Sequence, residues 1–382
     1  MIPNPPLGVV FHWLGGLAAG SFYVPFRQVK RWSWETYWLA GGMFSWIIAP
    51  WMFAWLMTNR LTATVSETPS QTLLLVSLFG VLWGFGGLTF GLTMRYLGMS
   101  LGMAVVMGLC AAFGTLIPPV ARGEFASRVL GTQSGQMILL GIGVCLVGIT
   151  IAGMAGVSKE RELSAEQKTE VIREFNFRKG LLVAIFSGVM SACFSYGLAA
   201  GEPIRQITLR QGTNPLWQGL PILVVILWGG FLTNFVWCVI LNFKNRSGHE
   251  YFTSKTPASV EPPAGENNRA GQLVTQMVLE KQAVVETPLA RNYLFCAIAG
   301  TAWYLQFFFY TMGEAQMGAY KFSSWTLQMA SIIIFSSLWG IALREWKGTS
   351  RRTRALLACG LAVLVASTMI VGYGNYLAAR TG

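Results

Sequence analysis

Charge is scarce in this chain. Asp, Glu, Lys and Arg together make up 12% of its 382 residues, about half the ~25% of an ordinary soluble domain. A globule of this size built from so few charges could not cover itself in polar surface, so a water-soluble fold is excluded. Histidine occurs twice, at His12 and His249. The six cysteines (Cys110, Cys145, Cys193, Cys238, Cys296 and Cys359) stand singly, with no CxxC pair. Neither a disulfide framework, nor a metal site, nor a cofactor is expected from them; they suit small apolar packing positions. No loop gathers the acids, histidines or metal ligands that a membrane-embedded transferase needs, so the chain is not expected to be an enzyme. Residues 1–6 carry no basic segment, and the first apolar run is long enough to persist as a helix rather than be removed as a signal peptide.

What is present is hydrophobic length. The apolar fraction is 53%, with 15 Trp and a mean hydropathy of +0.49. Ten apolar runs cover roughly 7–26, 36–58, 72–94, 97–121, 135–155, 180–200, 217–243, 291–312, 322–343 and 355–378. About 20 residues at 1.5 Å rise match a hydrocarbon core ~30 Å thick. In lipid only helices and closed barrels satisfy their own backbone, and continuous runs exclude the alternating pattern of barrel strands. The expected fold is therefore all-α and polytopic, with ten transmembrane helices and the lipid bilayer as its surroundings.

The net charge of +12 is distributed as an orientation signal rather than as a nucleic-acid footprint. Of the 28 Lys and Arg, 21 lie on the side of the loops after spans 1, 3, 5, 7 and 9, counting Arg291 at the start of span 8. The positive-inside rule places those loops in the cytoplasm and both termini outside, and no nucleic-acid partner is expected.

Two polar segments interrupt the runs. Residues 157–178 are densely charged with both signs and are expected to form a cytoplasmic linker. Residues 244–289 form a long polar loop of disorder-prone composition, within which the apolar residues of 273–286 recur near helical spacing, as in a helix lying on the membrane surface. A plain loop helix fits that spacing equally well. The first linker divides the chain into halves of five spans, 1–156 and 179–382. An odd count puts the two halves in opposite orientations, the arrangement of inverted repeats in secondary transporters. Internal similarity is weak: a shift of 220 residues pairs Gly80, Trp83 and Gly98 with Gly300, Trp303 and Gly318, and a shift of 172 pairs Gly16 and Phe22 with Gly188 and Phe194. Glycines spaced by four (Gly16/Gly20, Gly80/Gly84, Gly87/Gly91, Gly98/Gly102) suit close helix packing in lipid. Pro50 and Pro221 fall within spans 2 and 7, where a kink is expected.

Polar groups inside the spans are few and costly, which makes each one a candidate. His12 in span 1, Glu202 after span 6 and Glu314 after span 8 all fall toward the terminal side, and together form a candidate proton site. Each taken alone also fits a hydrogen-bonded histidine or a solvated helix end. Glu35 and Glu345 lie on the opposite side beside Arg27, Lys30, Arg31, Arg344 and Lys347, where ion pairing is expected first and gating second. Gln306 and Asn234 sit near mid-span. A sugar requires paired donors and acceptors beside an aromatic face, which Trp13, Tyr23, Trp83 and Trp303 are placed to supply; amides that simply join helices are the blander alternative.

The runs FHWLGGLAAGSFYVPFRQVKRWSWETYW (11–38), GLTMRYLGMSLG (91–102), WYLQFFFY (303–310) and LREW (343–346) closely resemble the bacterial L-rhamnose/proton symporter family, a branch of the drug/metabolite transporter superfamily. The resemblance is strong over spans 1–4 and 8–10 and weak over the linker and 244–289. It implies two inverted five-helix repeats in the bacterial inner membrane, importing L-rhamnose or a related 6-deoxysugar with a proton. His12, Glu35, Arg95 and Gln306 fall within the matching runs, Arg95 being grouped with Glu35 and Glu345 for gating or ion pairing. The chain departs from the family in carrying Glu314 where a histidine stands, and in the stretch 194–204 containing Glu202. Those departures leave sodium open as the coupling ion. Export of a small metabolite or drug is the rival within the superfamily, and a sugar sensor that binds without transport is another.

Overall fold

The computed structural model describes residues 2–97, 99–162, 176–256 and 285–381. The segment 273–286, expected as a surface helix, lies almost wholly outside them, as does Gly98. Ten helices are long and apolar enough to cross a membrane: α1 Pro5–Phe26, α2 Trp34–Met57, α3 Ser70–Leu97, α4 Leu101–Ala121, α5 Gln133–Glu162, α6 Phe177–Arg210, α7 Pro215–Asn245, α8 Leu289–Gln316, α9 Gly318–Ala342 and α10 Arg351–Arg380. The chain is an all-α, multi-pass membrane protein. The described ends of the chain and the connections after α2, α4, α6 and α8 lie on one face, the terminal face; the described parts of the remaining connections lie on the other, the basic face. Strand structure among the described residues is limited to a two-residue ladder pairing Lys255–Thr256 with Val285–Glu286.

Several boundaries depart from the sequence pattern for identifiable reasons. The fifth helix runs on to Glu162, so 157–162 of the expected linker are helical. Beyond Gly201, α6 continues as a polar stretch of about two and a half turns, Glu202–Arg210, whose apolar face is buried through Ile204 and Ile207. Pro221 does not kink α7: it sits in the helix's first turn, where its missing N–H has no partner to lose. Pro50 follows a π-helical turn, Met43–Ile48, in α2. Asn4 caps α1, accepting from the Leu7 N–H at 3.2 Å, and its own N–H donates to Gln316 at the end of α8.

Packing is set by glycine, since lipid supplies no hydrophobic drive to join helices. α1 packs on α8 and α9, whereas α6 packs on α3 and α4. α3 also packs on α7, as α8 does on α2, and α5 lies along α10. At Gly16 a Cβ would collide with Ser331 of α9, and at Gly188 with Leu109 and the Val106 carbonyl of α4. At Gly80 it would strike the Ile226 carbonyl of α7, and at Gly300 the Gly41 carbonyl of α2. Gly87 and Gly91 face open space instead. At the bundle centre the rings of Trp83 and Phe194 lie 5.0 Å apart, those of Trp303 and Phe22 4.4 Å, and Phe307 stacks on Phe194 at 4.4 Å.

Candidate functional site

A pocket of about 320 Å³ opens from the terminal face between the ends of α4, α6, α8 and the start of α9. Its walls include Pro118 and Pro119 of α4 and Arg122 just beyond it, Ser195, Ala199, Glu202 and Arg205 of α6, Tyr310 and Glu314 of α8, and Lys321 and Phe322 of α9. The volume is at the lower end for small-molecule sites.

Charge is concentrated at one wall. Arg205, 3% exposed, donates through Nη1 to Glu202 Oε2 at 2.7 Å and through Nη2 to Glu314 Oε2 at 2.6 Å. Lys321 approaches Glu202 at 3.8 Å, and Gln206 donates to its other oxygen. Arg205 thus bridges α6 and α8, two carboxylates facing two cations. The structure brings Glu202 and Glu314 together, as the candidate proton site requires, but through a guanidinium, Arg205, that the sequence reading did not single out. Its only local signal is the spacing of three from Glu202 on an amphipathic turn.

His12 lies one layer deeper. It is fully buried, and its ring packs edge-on to Tyr310 at a centroid distance of 5.3 Å. Gly313 lies flat against the imidazole, where a Cβ would meet Nε2 at 2.7 Å. Tyr310 therefore separates His12 from the pocket. Gln328 of α9 is the polar neighbour of His12, yet no nitrogen of the ring and neither amide atom of Gln328 makes a hydrogen bond. Nε2 of Gln306 (3% exposed), Nε1 of Trp303 and the Tyr304 hydroxyl are likewise buried without a partner. Buried polar atoms are normally satisfied, and leaving one unmade costs ~1–3 kcal/mol. Such atoms on α1, α8 and α9 are suited to taking up a polyhydroxylated guest. Gln328 is a member that the sequence reading missed, one amide among the apolar and hydroxyl residues of α9.

Other expected positions fall elsewhere. Asn234 accepts from Trp38 Nε1 at 3.0 Å and donates to the Gly230 carbonyl at 2.8 Å; its amide joins α2 to α7. Trp13 packs with Val9, Met317, Leu327 and Val371 toward α10. Tyr23 is exposed near the basic face, against Phe22. Trp83 packs on Phe194 and Phe307 beside Gly230. Arg95 occupies the exposed last turn of α3.

On the basic face, Arg27 pairs with Glu345 at 2.7 Å, and Trp339 donates to Ser21 at 2.8 Å, fastening α1 to the end of α9. Among the described residues Glu35 makes no ion pair, contrary to expectation. It is buried, and its Oε1 accepts from Asn245 Nδ2 at 2.9 Å and Ser247 Oγ at 2.6 Å. The neutral donors at the end of α7 lie nearer the first turn of α2 than the loop cations do.

Comparison with known proteins fixes the lineage. The pattern of the L-rhamnose-proton symport protein (RhaT) family matches residues 3–259 and 271–378. The chain belongs to that family. An L-rhamnose-proton symporter of Yersinia pestis (strain Pestoides F) is 37% identical over 369 residues, covering 96% of this chain and 97% of the relative. The symporter of Salmonella gallinarum matches to the same extent. The family is one of symporters, that is, of carriers.

Proposed function

We propose that this chain imports L-rhamnose with a proton by alternating access. The observation that carries the proposal is family membership along almost the entire chain, with relatives named L-rhamnose-proton symporters at 37% identity over 96% of it. The unpartnered Gln306, Gln328 and Trp303 atoms supply the donors, acceptors and aromatic edge that a neutral sugar needs. No carboxylate near mid-span supports a cationic-drug exporter. The bacterial inner membrane with both termini periplasmic follows from the excess of Lys and Arg on the basic face.

Two inverted halves, 1–156 and 179–382, of the drug/metabolite transporter kind are part of the proposal. Shifting each helix number by five converts the pairing of α1 with α8 and α9 into that of α6 with α3 and α4. Gly16 and Gly188 stand at matching contacts, as do Gly80 and Gly300, and the Trp83–Phe194 ring pair matches Trp303–Phe22. These are the residues that the weak internal similarity pairs.

The pocket open at the terminal face, with Arg27–Glu345 fastened at the other, corresponds to an outward-facing carrier. Sugar enters past Tyr310, and a proton taken up by the group of His12, Glu202 and Glu314 favours closure. Protonation of Glu314 would release Arg205 and free α6 from α8. About 100 mV contributes ~2.3 kcal/mol per charge and one pH unit ~1.4 kcal/mol, together enough for a several-hundred-fold gradient of a neutral solute. Cells expressing the protein should accumulate labelled L-rhamnose above other 6-deoxysugars and lose accumulation on adding an uncoupler. Accumulation that survives the uncoupler and follows a sodium gradient would move the coupling ion to sodium, and equal export of unrelated drugs would favour the exporter.

A further inference from the structure

A second cavity, about 640 Å³, lies away from the transport pocket, on the outer flank where α4 meets α5 and the start of α10. We propose that it is a binding site for one anionic phospholipid of the leaflet at the basic face, its phosphate held between Arg161 and Arg352 and an acyl chain lying in the groove.

The lining changes character along its length. From Leu101 to Ala112 the α4 wall is apolar, and the α5 wall opposite runs from Leu146 to Arg161. The eleven steps from Leu101 to Ala112 at ~1.5 Å each give about 16 Å, close to half of a ~30 Å hydrocarbon core, so the groove is one leaflet deep. Its floor is open because Gly108 leaves space: a Cβ there would meet only Ile149, at 3.9 Å. The hydroxyls along it are engaged within the protein. Thr150 donates to the Leu146 carbonyl, and Ser158 pairs with Thr353 at 2.6 Å. A sugar would find no free polar partner in such a groove, whereas an alkyl chain needs none.

The mouth has the opposite chemistry. Arg161 and Arg352 are exposed and, among the described residues, make no ion pair or hydrogen bond. Nearby cations are also committed elsewhere or free in the same sense: Lys159 sits over the Trp346 ring at 4.7 Å, and Arg351 and Arg354 flank Arg352 on α10. The neighbouring Glu162 is occupied by Ser350 and Thr353. Two unpaired guanidiniums at headgroup level above a one-leaflet apolar slot complement a phosphodiester with an acyl tail.

The test is native mass spectrometry of the full chain in detergent after delipidation, titrated with phosphatidylglycerol or with phosphatidylcholine of identical chains. The wild type is expected to prefer phosphatidylglycerol by about 30-fold, two arginines each contributing at the membrane surface. Arg161→Gln with Arg352→Gln should abolish the preference, and Gly108→Leu, which fills the slot and favours helix, should abolish binding of both lipids with the arginines intact. A preference unchanged by the double arginine variant would show diffuse attraction to surface charge and overturn the proposal. So would lipid adducts that persist in Gly108→Leu, or a lipid-free dimer in which a second copy covers the groove.

Discussion

Arg205 is the only buried Lys or Arg among the described residues, and both of its bonds go to carboxylates. Removing one partner of a buried ion pair leaves the other uncompensated, at a cost of ~3–5 kcal/mol. Arg205→Ala should therefore lower the melting temperature in detergent sharply, and adding Glu314→Gln should recover part of the loss. Equal destabilisation by the single and double variants would mean that Arg205 serves α6 alone. Arg205→Lys should fall between, because an ammonium reproduces neither the fork nor both contacts. His12 differs in having no bond to break. His12→Ala should abolish accumulation driven by a proton gradient while counterflow of labelled L-rhamnose across proteoliposomes persists. If gradient-driven accumulation survives in both His12→Ala and Glu314→Gln, the proton group has been misplaced.

At the scale of the helix, glycines that look alike in sequence should behave differently. Gly80→Ala and Gly300→Ala each place a methyl against a backbone carbonyl of the facing helix, whereas at Gly87 there is open space. Thermal unfolding should show both of the first pair destabilised and Gly87→Ala unchanged or slightly stabilised, alanine being the better helix former. The ten crossings were legible because the bilayer dictates their length; their ends were not, because helices such as α5 and α6 continue as polar turns past the lipid. The same limit applies to the site. His12, Glu202, Glu314 and Gln306 announce themselves as rare polar groups near apolar spans. Arg205 and Gln328 gain their roles only from helices more than 100 residues away in sequence. Glu35 was expected beside the loop cations, but its partners, at the end of α7, are set by tertiary packing that no local pattern encodes.

Across the whole molecule, the fastening at the basic face and the pocket at the terminal face describe one side closed and the other open. An exposed ion pair contributes ~0.2–1 kcal/mol, so Glu345→Gln should shift the balance toward the inward-facing form by up to about fivefold. Ala199→Cys, on the pocket wall, reports that shift: labelling by a membrane-impermeant thiol reagent from the terminal face should slow when Glu345→Gln is added. The most direct test of coupling is the proton itself. Adding L-rhamnose to a lightly buffered, de-energised suspension of cells making this protein should alkalinise the medium, one proton entering with each sugar, and an uncoupler should abolish the signal. Uptake of L-rhamnose with no accompanying change in external pH would contradict proton symport.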